Sequence, residues 1–279
     1  MSDYTGVGAL KTAFARARAA ARPAFIPYIT AGDPDLDTSA RIVGALQRGG
    51  ADLIELGVPF SDPIADGEIN QRAAERALRA GVTLRSVLDL AGRLAGQGVP
   101  PLILFTYYNP IHRIGLREFA RRAAESGVSG VLVTDLPLEE SDDLETALQQ
   151  EEIGLIHLLS PTSSDDRLAR VGRVARGFIY LIARTGVTGV RSDLGAGLTD
   201  CVRRVRSAAG ETPVAVGFGI GHADQVRALA GCADGVVVGS ALVRLIEQFG
   251  GEPDLERRIE GFCRELTGRQ APPGEASGG

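Results

Sequence analysis

The sequence predicts a single (β/α)8 barrel, and three observations lead to that prediction. Short apolar runs rich in β-branched residues recur eight times, and each precedes a longer segment whose apolar residues follow a helical period. The runs are apolar throughout, which is typical of parallel strands buried on both faces. At 279 residues the chain suits a closed barrel, which typically takes ~250 residues, better than an open doubly wound sheet.

The predicted strands and helices alternate along the chain. The strands cover residues 24–29, 53–58, 102–106, 130–134, 154–159, 178–183, 214–216 and 235–238. Helices are predicted at residues 8–21, 38–47, 71–79, 84–95, 116–125, 139–150, 165–174 and 223–229, and another begins at Ser240. Many of them follow Asp, Ser or Thr and end at Gly, which are the usual capping residues. The segment 8–21 precedes the first strand and is therefore an extra N-terminal helix.

The chain is predicted to form one domain with a short tail. No linker or change of composition divides residues 1–266, which we assign to the barrel. Residues 267–279 contain Pro-Pro-Gly and Ala-Ser-Gly-Gly and offer no large apolar side chain for burial. We therefore expect residues 267–279 to be disordered.

Lysine is almost missing from the composition. Of the 30 basic residues one is a lysine, Lys11, and the other 29 are arginines. Mechanisms that need a lysine in the body of the fold are therefore disfavoured, namely those of Schiff-base aldolases, pyridoxal-phosphate enzymes and P-loop kinases. The net charge of −5 also argues against a broad surface for nucleic-acid phosphates.

The cysteines and histidines give no sign of a disulfide framework or a metal site. They lack the CxxC and HxxxH spacings, and no apolar run approaches the ~20 residues of a membrane span. We therefore expect a protein of the reducing cytoplasm that binds no metal. The residues concerned are Cys201, Cys232, Cys263, His112, His157 and His222.

Two carboxylates lie in and after the second predicted strand. Glu55 is inside an otherwise apolar strand, where burial raises the pKa of a carboxyl group unless a partner offsets it. Asp66 is in the following loop beside Gly67, and we expect it to be better hydrated. One buried and one wetter carboxylate can act as acid and base near neutral pH. The alternative is that Glu55 pairs with a barrel arginine and that Asp62 or Asp66 caps the next helix.

Glycine-rich turns follow the seventh and eighth strands. They are the run Gly217-Phe218-Gly219-Ile220-Gly221 and the pair Gly239-Ser240 at the start of a helix. Glycines let backbone N–H groups approach an anion, and a helix N-terminus attracts negative charge. Because these loops usually hold phosphate in this fold, we expect a phosphate site here, which Gly186 and Gly189 could close. The alternative is that they are ordinary tight turns.

Aromatic residues make up only 5% of the chain, yet several lie near strand ends. A group of rings at the barrel mouth suits a flat organic substrate, although core packing explains each ring taken singly. The apolar residues concerned are Phe25, Tyr28, Phe105, Tyr107, Leu132 and Tyr180. These features together predict an enzyme that acts on a phosphorylated, partly apolar metabolite by carboxylate acid–base chemistry.

Several motifs resemble those of the tryptophan synthase alpha chain family. They are FIPYITAGDP at 25–34, ELGVPFSDPIADG at 55–67, YLIARTGVTG at 180–189, GFGI at 217–220 and GS at 239–240. They occur in the order found in the family, and the run at 55–67 is close to diagnostic. The resemblance covers about residues 8–266.

The resemblance implies a lyase that splits indole-3-glycerol phosphate into indole and glyceraldehyde 3-phosphate in tryptophan biosynthesis. It also implies that this chain has no cofactor, and that a beta-chain partner carries pyridoxal phosphate in an α2β2 heterotetramer. By motif position, Glu55 would be the general acid–base and Asp66 the second catalytic carboxylate. The implied phosphate ligands are Gly189, Gly219, Gly239 and Ser240. The implied indole pocket is Tyr28, Phe105, Leu132, Tyr180 and Phe218, with Thr188 in a mobile loop that closes over Asp66.

The chain departs from the family pattern in two places. After Gly67 the family has Pro and then an apolar residue before Gln, whereas this chain has Glu68 and Asn70 before Gln71. The strand at His157 is also more polar than expected. Because these departures lie beside the catalytic loop and on the fifth strand, they concern loop movement and partner coupling more than the reaction.

Other functions stay open from the sequence alone. One is a stand-alone indole-3-glycerol-phosphate lyase that needs no beta chain, and another is a different phosphate-binding barrel such as a sugar-phosphate isomerase or epimerase. A structural or regulatory subunit is the third, and the pair Glu55 and Asp66 argues against it. If a beta chain binds, the resemblance places its contacts at residues 62–64 and 109–111.

Overall fold

The computed structural model describes residues 5–182, 194–217 and 219–269, and in this part of the chain eight parallel strands form a closed barrel. The strands follow one another around the barrel in chain order, and β1 closes it by pairing with β8. They are β1 (Ala24–Thr30), β2 (Ile54–Gly57), β3 (Leu102–Thr106), β4 (Val128–Val133), β5 (Gly154–Leu159), β6 (Ile179–Ile182), β7 (Val214–Gly217) and β8 (Gly235–Val238). The predicted (β/α)8 barrel is confirmed.

Helices surround the barrel. Those in the described residues are α1 (Gly6–Ala19), α2 (Leu36–Arg48), α3 (Glu68–Arg79), α4 (Leu84–Ala95), α5 (Tyr108–Ile114), α6 (Leu116–Glu125), α7 (Asp142–Gln150), α8 (Asp165–Val174), α9 (Leu194–Ala209), α10 (Ala223–Leu229), α11 (Ser240–Phe249) and α12 (Leu255–Thr267). None of these helices is both long enough and apolar enough to cross a membrane.

Side-chain alternation along each strand divides the apolar residues between two cores. One set points into the barrel and fills it, and its strand members include Ile26, Ile103, Ile156, Ala215 and Val237. The other set points outward and packs under the helices, and it includes Ile29, Ile54, Leu56, Leu104 and Val236. Because nearly all strand residues on both faces are buried, the strands appear in the sequence as continuous apolar runs.

Helix α1 closes the amino-terminal end of the barrel. Its residues Leu10 and Phe14 belong to the inner core, and the centroids of the Phe14 and Phe178 rings are 5.3 Å apart. The carboxyl ends of the strands therefore form the open mouth, where the loops that follow the strands meet. Lys11, the only lysine of the sequence, is exposed on α1, at the opposite end of the barrel from these loops.

Several helices begin after a capping Asp, Ser or Thr, the residue types that the sequence analysis predicts at helix starts. Asp35 accepts a hydrogen bond from the backbone N–H of Thr38 at the start of α2, and Ser164 caps α8 in the same way. Thr83 and Ser86 form a reciprocal capping box at the start of α4. Local side-chain chemistry thus fixes where these helices begin.

The predicted helix at 139–150 is interrupted in the structure. Residues Leu138–Glu140 form a 3-10 turn, and α7 begins only at Asp142. The Ser141 hydroxyl donates a hydrogen bond to the carbonyl of Leu138 (2.9 Å), which ends the turn. The sequence pattern also missed α5, a helix of 7 residues. Pro110 is in its first turn, where a backbone N–H has no partner within the helix, so the N–H that proline lacks costs no helical hydrogen bond.

The folded domain extends past the predicted boundary at residue 266. Helix α12 includes Thr267, and Gly268 adopts the left-handed conformation that ends many helices. Arg269 then pairs with Asp52 (3.5 Å) and hydrogen-bonds the carbonyl of Gly50. Residues 267–269 are therefore part of the domain, and the rest of the predicted tail lies outside the described residues.

Four charged side chains, the Asp33–Glu247 cluster (Asp33, Arg72, Arg76 and Glu247), tie α3 to its neighbours. Arg76 makes two hydrogen bonds of 2.8 Å to Asp33, which follows β1 and is 2% exposed. Arg72 and Arg76 both donate to Glu247 on α11. The cluster therefore holds α3, the helix that follows the Asp66 loop, against α11, the helix that follows β8.

Replacement of Arg76 by leucine should destabilise the protein. The change leaves the Asp33 carboxylate buried without its guanidinium partner, and breaking a buried pair in this way costs about 3 kcal/mol. Urea unfolding of Arg76→Leu and wild type measures the difference. Arg79→Leu on the same helix is the matched control, since Arg79 is exposed and pairs with the exposed Glu75, so the loss should stay below about 1 kcal/mol. Equal losses in the two variants would contradict this role of the cluster.

Candidate active site

Glu55 lies on β2 with its side chain inside the barrel. Its register partners are Tyr28 on β1 and Ile103 on β3. The residue is 0% exposed, and neither carboxyl oxygen has a hydrogen-bond partner among the described residues. Burial disfavours the charged form and raises the pKa of Glu55 to about 8. Glu55 therefore carries a proton at neutral pH and can deliver it to a bound molecule.

The alternative structural roles of these carboxylates do not fit the described residues. No described arginine hydrogen-bonds Glu55, so the alternative prediction that Glu55 pairs with a barrel arginine is wrong for this part of the chain. Helix α3 has Gly67 at its N-cap position and no side-chain capping bond. Neither Asp62 nor Asp66 therefore caps α3.

Asp66 ends the loop between β2 and α3 and is only partly buried. Its carboxylate accepts a hydrogen bond from the Tyr107 hydroxyl (2.9 Å). Burial raises the pKa of Asp66, and the Tyr107 hydroxyl and the Asn70 amide oppose the rise because they favour the charged form. The two carboxyl groups are thus in different environments, since Glu55 is dry and unpartnered and Asp66 is hydrogen-bonded near the mouth.

Neighbouring side chains hold the loop that carries Asp66. The Tyr107 hydroxyl accepts the backbone N–H of Ala65 (3.1 Å), and the Tyr107 ring stacks on Phe60 with centroids 4.9 Å apart. From the other side, the Gln71 amide donates to the backbone carbonyl of Asp66 (2.9 Å). The position of Asp66 is therefore set jointly by the loop after β3 and by the first turn of α3.

Apolar side chains line the barrel mouth above Glu55. Tyr28 and Phe105 meet edge to face, with ring centroids 5.1 Å apart and an interplanar angle of 72°. Leu132 on β4 is fully buried in the inner core, against which Phe105 and Tyr180 also pack. Burial raises the pKa of Tyr28 and of Tyr180, and the nearby carboxyl groups of Asp66 and Glu55, when ionised, raise both further. Both phenols are therefore neutral, and the pocket wall is apolar with two hydroxyl groups.

Two glycines make room for these tyrosines. A Cβ at Gly57, the end of β2, would overlap the Tyr28 hydroxyl. A Cβ at Gly217, the end of β7, would overlap the Tyr180 hydroxyl. Glycine is needed at both strand ends because the tyrosine rings lie across the barrel at this level.

The glycine-rich turns after β7 and β8 lie together at one side of the mouth. The two strands are paired, and a Cβ at Gly221 would lie 3.7 Å from the Cβ of Ala241 in the first turn of α11. Gly219 has a φ of +55° with open space beside it, and Ser240 is exposed at the start of α11. No described side chain caps α11 after Gly239, so its first N–H groups are available to an anion.

The structure thus brings most of the predicted site residues to the same end of the barrel. Those that it describes there are Glu55, Asp66, Tyr28, Phe105, Leu132, Tyr180, Gly219, Gly239 and Ser240. Thr188, Gly189 and Phe218 lie outside the described residues, as does Gly186.

The sequence pattern places Tyr107 only among several rings at strand ends, yet its hydroxyl binds the Asp66 carboxylate. Asn70, which the sequence shows as a departure from the family pattern, lies in the first turn of the helix after the Asp66 loop and opposes the rise in the pKa of Asp66. Its signal in the sequence is a polar residue one position before Gln71.

His157 lies away from this site. It points outward from β5 and lines a cavity of ≈ 280 Å³ beside α8. The residue is 7% exposed, its Nε2 has no partner among the described residues, and burial lowers its pKa to about 4. In the described part of the chain, no group of three or more His, Cys, Asp or Glu side chains is placed to hold a metal ion.

Comparisons with known proteins agree in both sequence and fold. The family model described as tryptophan synthase alpha chain matches residues 14–269. The tryptophan synthase alpha chain of Solibacter usitatus is 49% identical over 245 residues, which cover 88% of this chain and 91% of that protein. The crystal structure of tryptophan synthase subunit alpha from Legionella pneumophila is similar with a TM-score of 0.84 and 33% identity, covering 94% of this chain and 97% of that one. A tryptophan synthase complex from Pyrococcus furiosus contains a similar chain, with a TM-score of 0.80, 38% identity and coverage of 88% and 98%.

Glu55 should make the stability of the protein depend on pH between about 4.5 and about 8. The unfolded chain ionises this carboxyl group above 4.5, whereas the folded protein keeps it protonated up to about 8. Stability from this group is therefore full below pH 4.5 and falls as pH rises, by up to about 1.4 kcal/mol per pH unit. The measurement is the unfolding free energy of Glu55→Gln minus that of wild type, which should increase across this range. Glu75→Gln, at an exposed position, is the control, and a flat difference for Glu55→Gln would refute the raised pKa.

Proposed function

The chain belongs to the tryptophan synthase alpha chain family, whose members cleave indole-3-glycerol phosphate to indole and glyceraldehyde 3-phosphate, and we propose that it does so with Glu55 and Asp66 as its catalytic carboxyl groups. The enzyme is a lyase of tryptophan biosynthesis. The observation that carries the residue assignment is the pair of carboxyl groups in unlike environments at one barrel mouth, with Glu55 buried and unpartnered and Asp66 hydrogen-bonded to Tyr107.

Glu55 is proposed as the general acid and then the general base. It gives its proton to C3 of the indole ring, which places a positive charge on the ring and its nitrogen. The resulting carboxylate takes the proton of the hydroxyl group on the carbon attached to C3. The bond from C3 to that carbon then breaks, its electron pair returns to the ring, and the carbon becomes the aldehyde of glyceraldehyde 3-phosphate. One proton is given and one is taken back, so Glu55 ends the cycle as it began.

Asp66 is proposed to stabilise the positive charge that protonation creates. Its carboxylate accepts the ring N–H of the substrate and is close to the charge where it develops. The hydrogen bond from Tyr107 supports this role because it favours the charged carboxylate. The two carboxyl groups thus have different proposed roles: Glu55 transfers protons, and Asp66 stays negatively charged.

Substrate binding is proposed to use the two sides of the mouth. The phosphate binds the backbone N–H groups and the hydroxyl at Gly219, Gly239 and Ser240, supported by the uncapped N-terminus of α11. The indole ring lies against Tyr28, Phe105, Leu132 and Tyr180. The proposal also includes Gly189 in the phosphate site and Thr188 and Phe218 in the indole pocket. These three residues lie outside the described part of the chain.

The proposed reaction needs no cofactor on this chain. The protonated indole ring is itself the electron acceptor for the bond that breaks, so the step requires neither a lysine Schiff base nor a metal ion. Pyridoxal phosphate, which the resemblance implies, is assigned to the beta chain. The remote position of Lys11 on α1 agrees with this division of chemistry.

The family works with a beta chain, and we propose that this chain joins one in an α2β2 heterotetramer. Ile64, in the loop before Asp66, is 85% exposed, and it and Ile182 are the exposed large hydrophobic residues among those described. Such a side chain beside the catalytic loop is suited to burial by a partner. At residues 109–111 fewer side chains can contact a partner than expected, because Ile111 is fully buried whereas Asn109 is exposed.

The reducing cytoplasm is proposed as the location of the enzyme. All three cysteines are unpaired, and burial raises the pKa of each thiol, for Cys263 to about 12. Protonated, partly or fully buried thiols are typical of a protein that keeps its cysteines reduced.

Glu55→Gln and Asp66→Asn should each lower turnover by ~10²-fold or more while the protein stays folded. The first variant loses the transferable proton, and the second loses the negative charge opposite the ring nitrogen. Indole release from indole-3-glycerol phosphate measures turnover, and circular dichroism checks folding. Asp37→Asn, at an exposed position on α2, is the control and should keep wild-type turnover. Near-full activity of either purified active-site variant would overturn its assignment.

Ile64→Asp should weaken binding of the beta chain by ~10-fold or more, because it places a charge in an apolar contact. Analytical ultracentrifugation of the mixed chains measures assembly, and indole release with and without the beta chain measures coupling. The variant alone should turn over like wild type alone. If wild type neither binds a beta chain nor gains activity from it, the protein is a stand-alone lyase and the heterotetramer proposal fails.

A further inference from the structure

We propose that the cavity beside His157, which lies between β5, the loop after β4 and α8, is a second ligand site of this protein. Its ligand is a small uncharged molecule of one or two rings that carries one hydroxyl or N–H group. This site goes beyond the proposed function and does not depend on it. Three observations on the described residues lead to it: the size and walls of the cavity, the unmet hydrogen bond of His157, and the pairing of the charged groups nearby.

The cavity is large enough for an organic molecule. Its volume is ≈ 280 Å³, whereas an engineered apolar cavity of ~150 Å³ in another protein admits benzene. Sites for small organic molecules combine apolar walls with a few polar groups, and this cavity has both. Its apolar walls include Val133, Leu138, Leu155 and Val171. One or two rings therefore fit between β5 and α8.

His157 brings an unmet hydrogen bond to this cavity. The residue is 7% exposed on a strand that is otherwise apolar, and its Nε2 is buried with no partner among the described residues. A buried polar group without a partner is unfavourable, so a ligand that bonds the imidazole gains this interaction. Burial also lowers the pKa of His157 to about 4, so the ring is neutral at physiological pH, with one donor and one acceptor nitrogen. A hydroxyl group can bond either nitrogen, and an N–H group can bond the acceptor.

The charged groups at the cavity favour an uncharged ligand. The Arg167 guanidinium donates to both carboxylate oxygens of Glu139 (2.9 Å each), so it already has a counter-ion. Asp135 is exposed to water and accepts the backbone N–H of Tyr108 (2.7 Å). Among the described residues that line the cavity, no buried charge is left to balance an ion, and burial of an unbalanced ion is costly.

The cavity is separate from the active site. The described residues that line it include neither catalytic carboxyl group and no residue of the proposed indole pocket. The loop after β4 lies between the two sites, because the Thr134 N–H donates to the carbonyl of Thr106 (3.0 Å) and Asp135 accepts from Tyr108. A ligand beside His157 thus contacts the loop that is bonded to the Tyr107 segment, without touching the catalytic groups.

The experiment follows the ¹⁹F NMR signal of 4-fluorophenol as the full chain is added, and repeats the titration with 4-fluorotoluene, in which a methyl group replaces the hydroxyl. Wild type should bind 4-fluorophenol saturably with a Kd of about 1 mM or lower. In His157→Leu the ratio of the two dissociation constants should shift by ~5-fold in favour of 4-fluorotoluene, because one hydrogen bond between neutral groups is worth about that factor.

Two further variants test where the probe binds. His112→Leu is the matched control, since His112 is exposed on α5 and does not line the cavity, and it should keep the wild-type ratio. Val171→Phe places a ring in the cavity and should weaken binding of both probes by ~10-fold or more. Circular dichroism checks that each variant is folded. If His157→Leu does not fold, Val171→Phe and a wild-type crystal soaked with 4-bromophenol, whose bromine is located by its anomalous signal, still test the site.

The bromine should lie in the cavity, with the phenol hydroxyl within hydrogen-bond distance of the His157 ring. If wild type shows no saturable binding up to ~10 mM, the cavity holds water alone and the proposal is overturned. Bromine density in the cavity without binding in solution shows binding at crystal concentration only and overturns it equally. If binding is saturable but the same in wild type, His157→Leu and Val171→Phe, the phenol binds elsewhere, for example at the barrel mouth, and the proposal fails.

Discussion

The burial of the Glu55 carboxyl group inside the barrel, without a counter-ion among the described residues, is the constraint on which the site depends. Dry surroundings raise its pKa to about 8, so the group stores a proton at neutral pH. A nearby cation would favour the charged form and release that proton. Among the described residues no cation pairs with Glu55, and burial is the cause of its raised pKa. A reaction that needs a proton and supplies its own electron acceptor suits such a group.

Asp66 meets the opposite requirement, and a different part of the structure supports it. In the proposed reaction its carboxylate stays charged, and the Tyr107 hydroxyl in the loop after β3 donates a hydrogen bond to it. Gln71 on α3 donates to the backbone carbonyl of Asp66, and the Asp33–Glu247 cluster holds α3 against α11. The N-terminus of α11 belongs to the proposed phosphate site, so the same ion pairs link the helix on that side of the mouth to the helix that follows Asp66.

Strands and capped helix starts could be predicted from the sequence, whereas a helix break and a short helix could not. The strands were predictable because both faces are buried, and helix starts such as those of α4 and α8 were predictable because a cap is a local interaction. The break at Ser141 was missed, since 139–150 has helical spacing throughout and only one side-chain hydrogen bond divides it. Ile111 was expected at the surface but packs in the outer core, because a short helix turns it inward.

By itself the sequence determined the barrel, the scarcity of lysine and the presence of two carboxylates at and after the second strand. Each of these follows from residue type and local spacing, which the chain carries in its linear order. Only the tertiary structure decided how buried each carboxyl group is, which residues bind it and in which direction its pKa is shifted. Tyr107 is 41 positions from the Asp66 that it bonds, and Arg76 is 43 positions from Asp33. A pKa depends on every neighbour that folding brings within a few ångströms, and those neighbours come from strands far apart in the sequence.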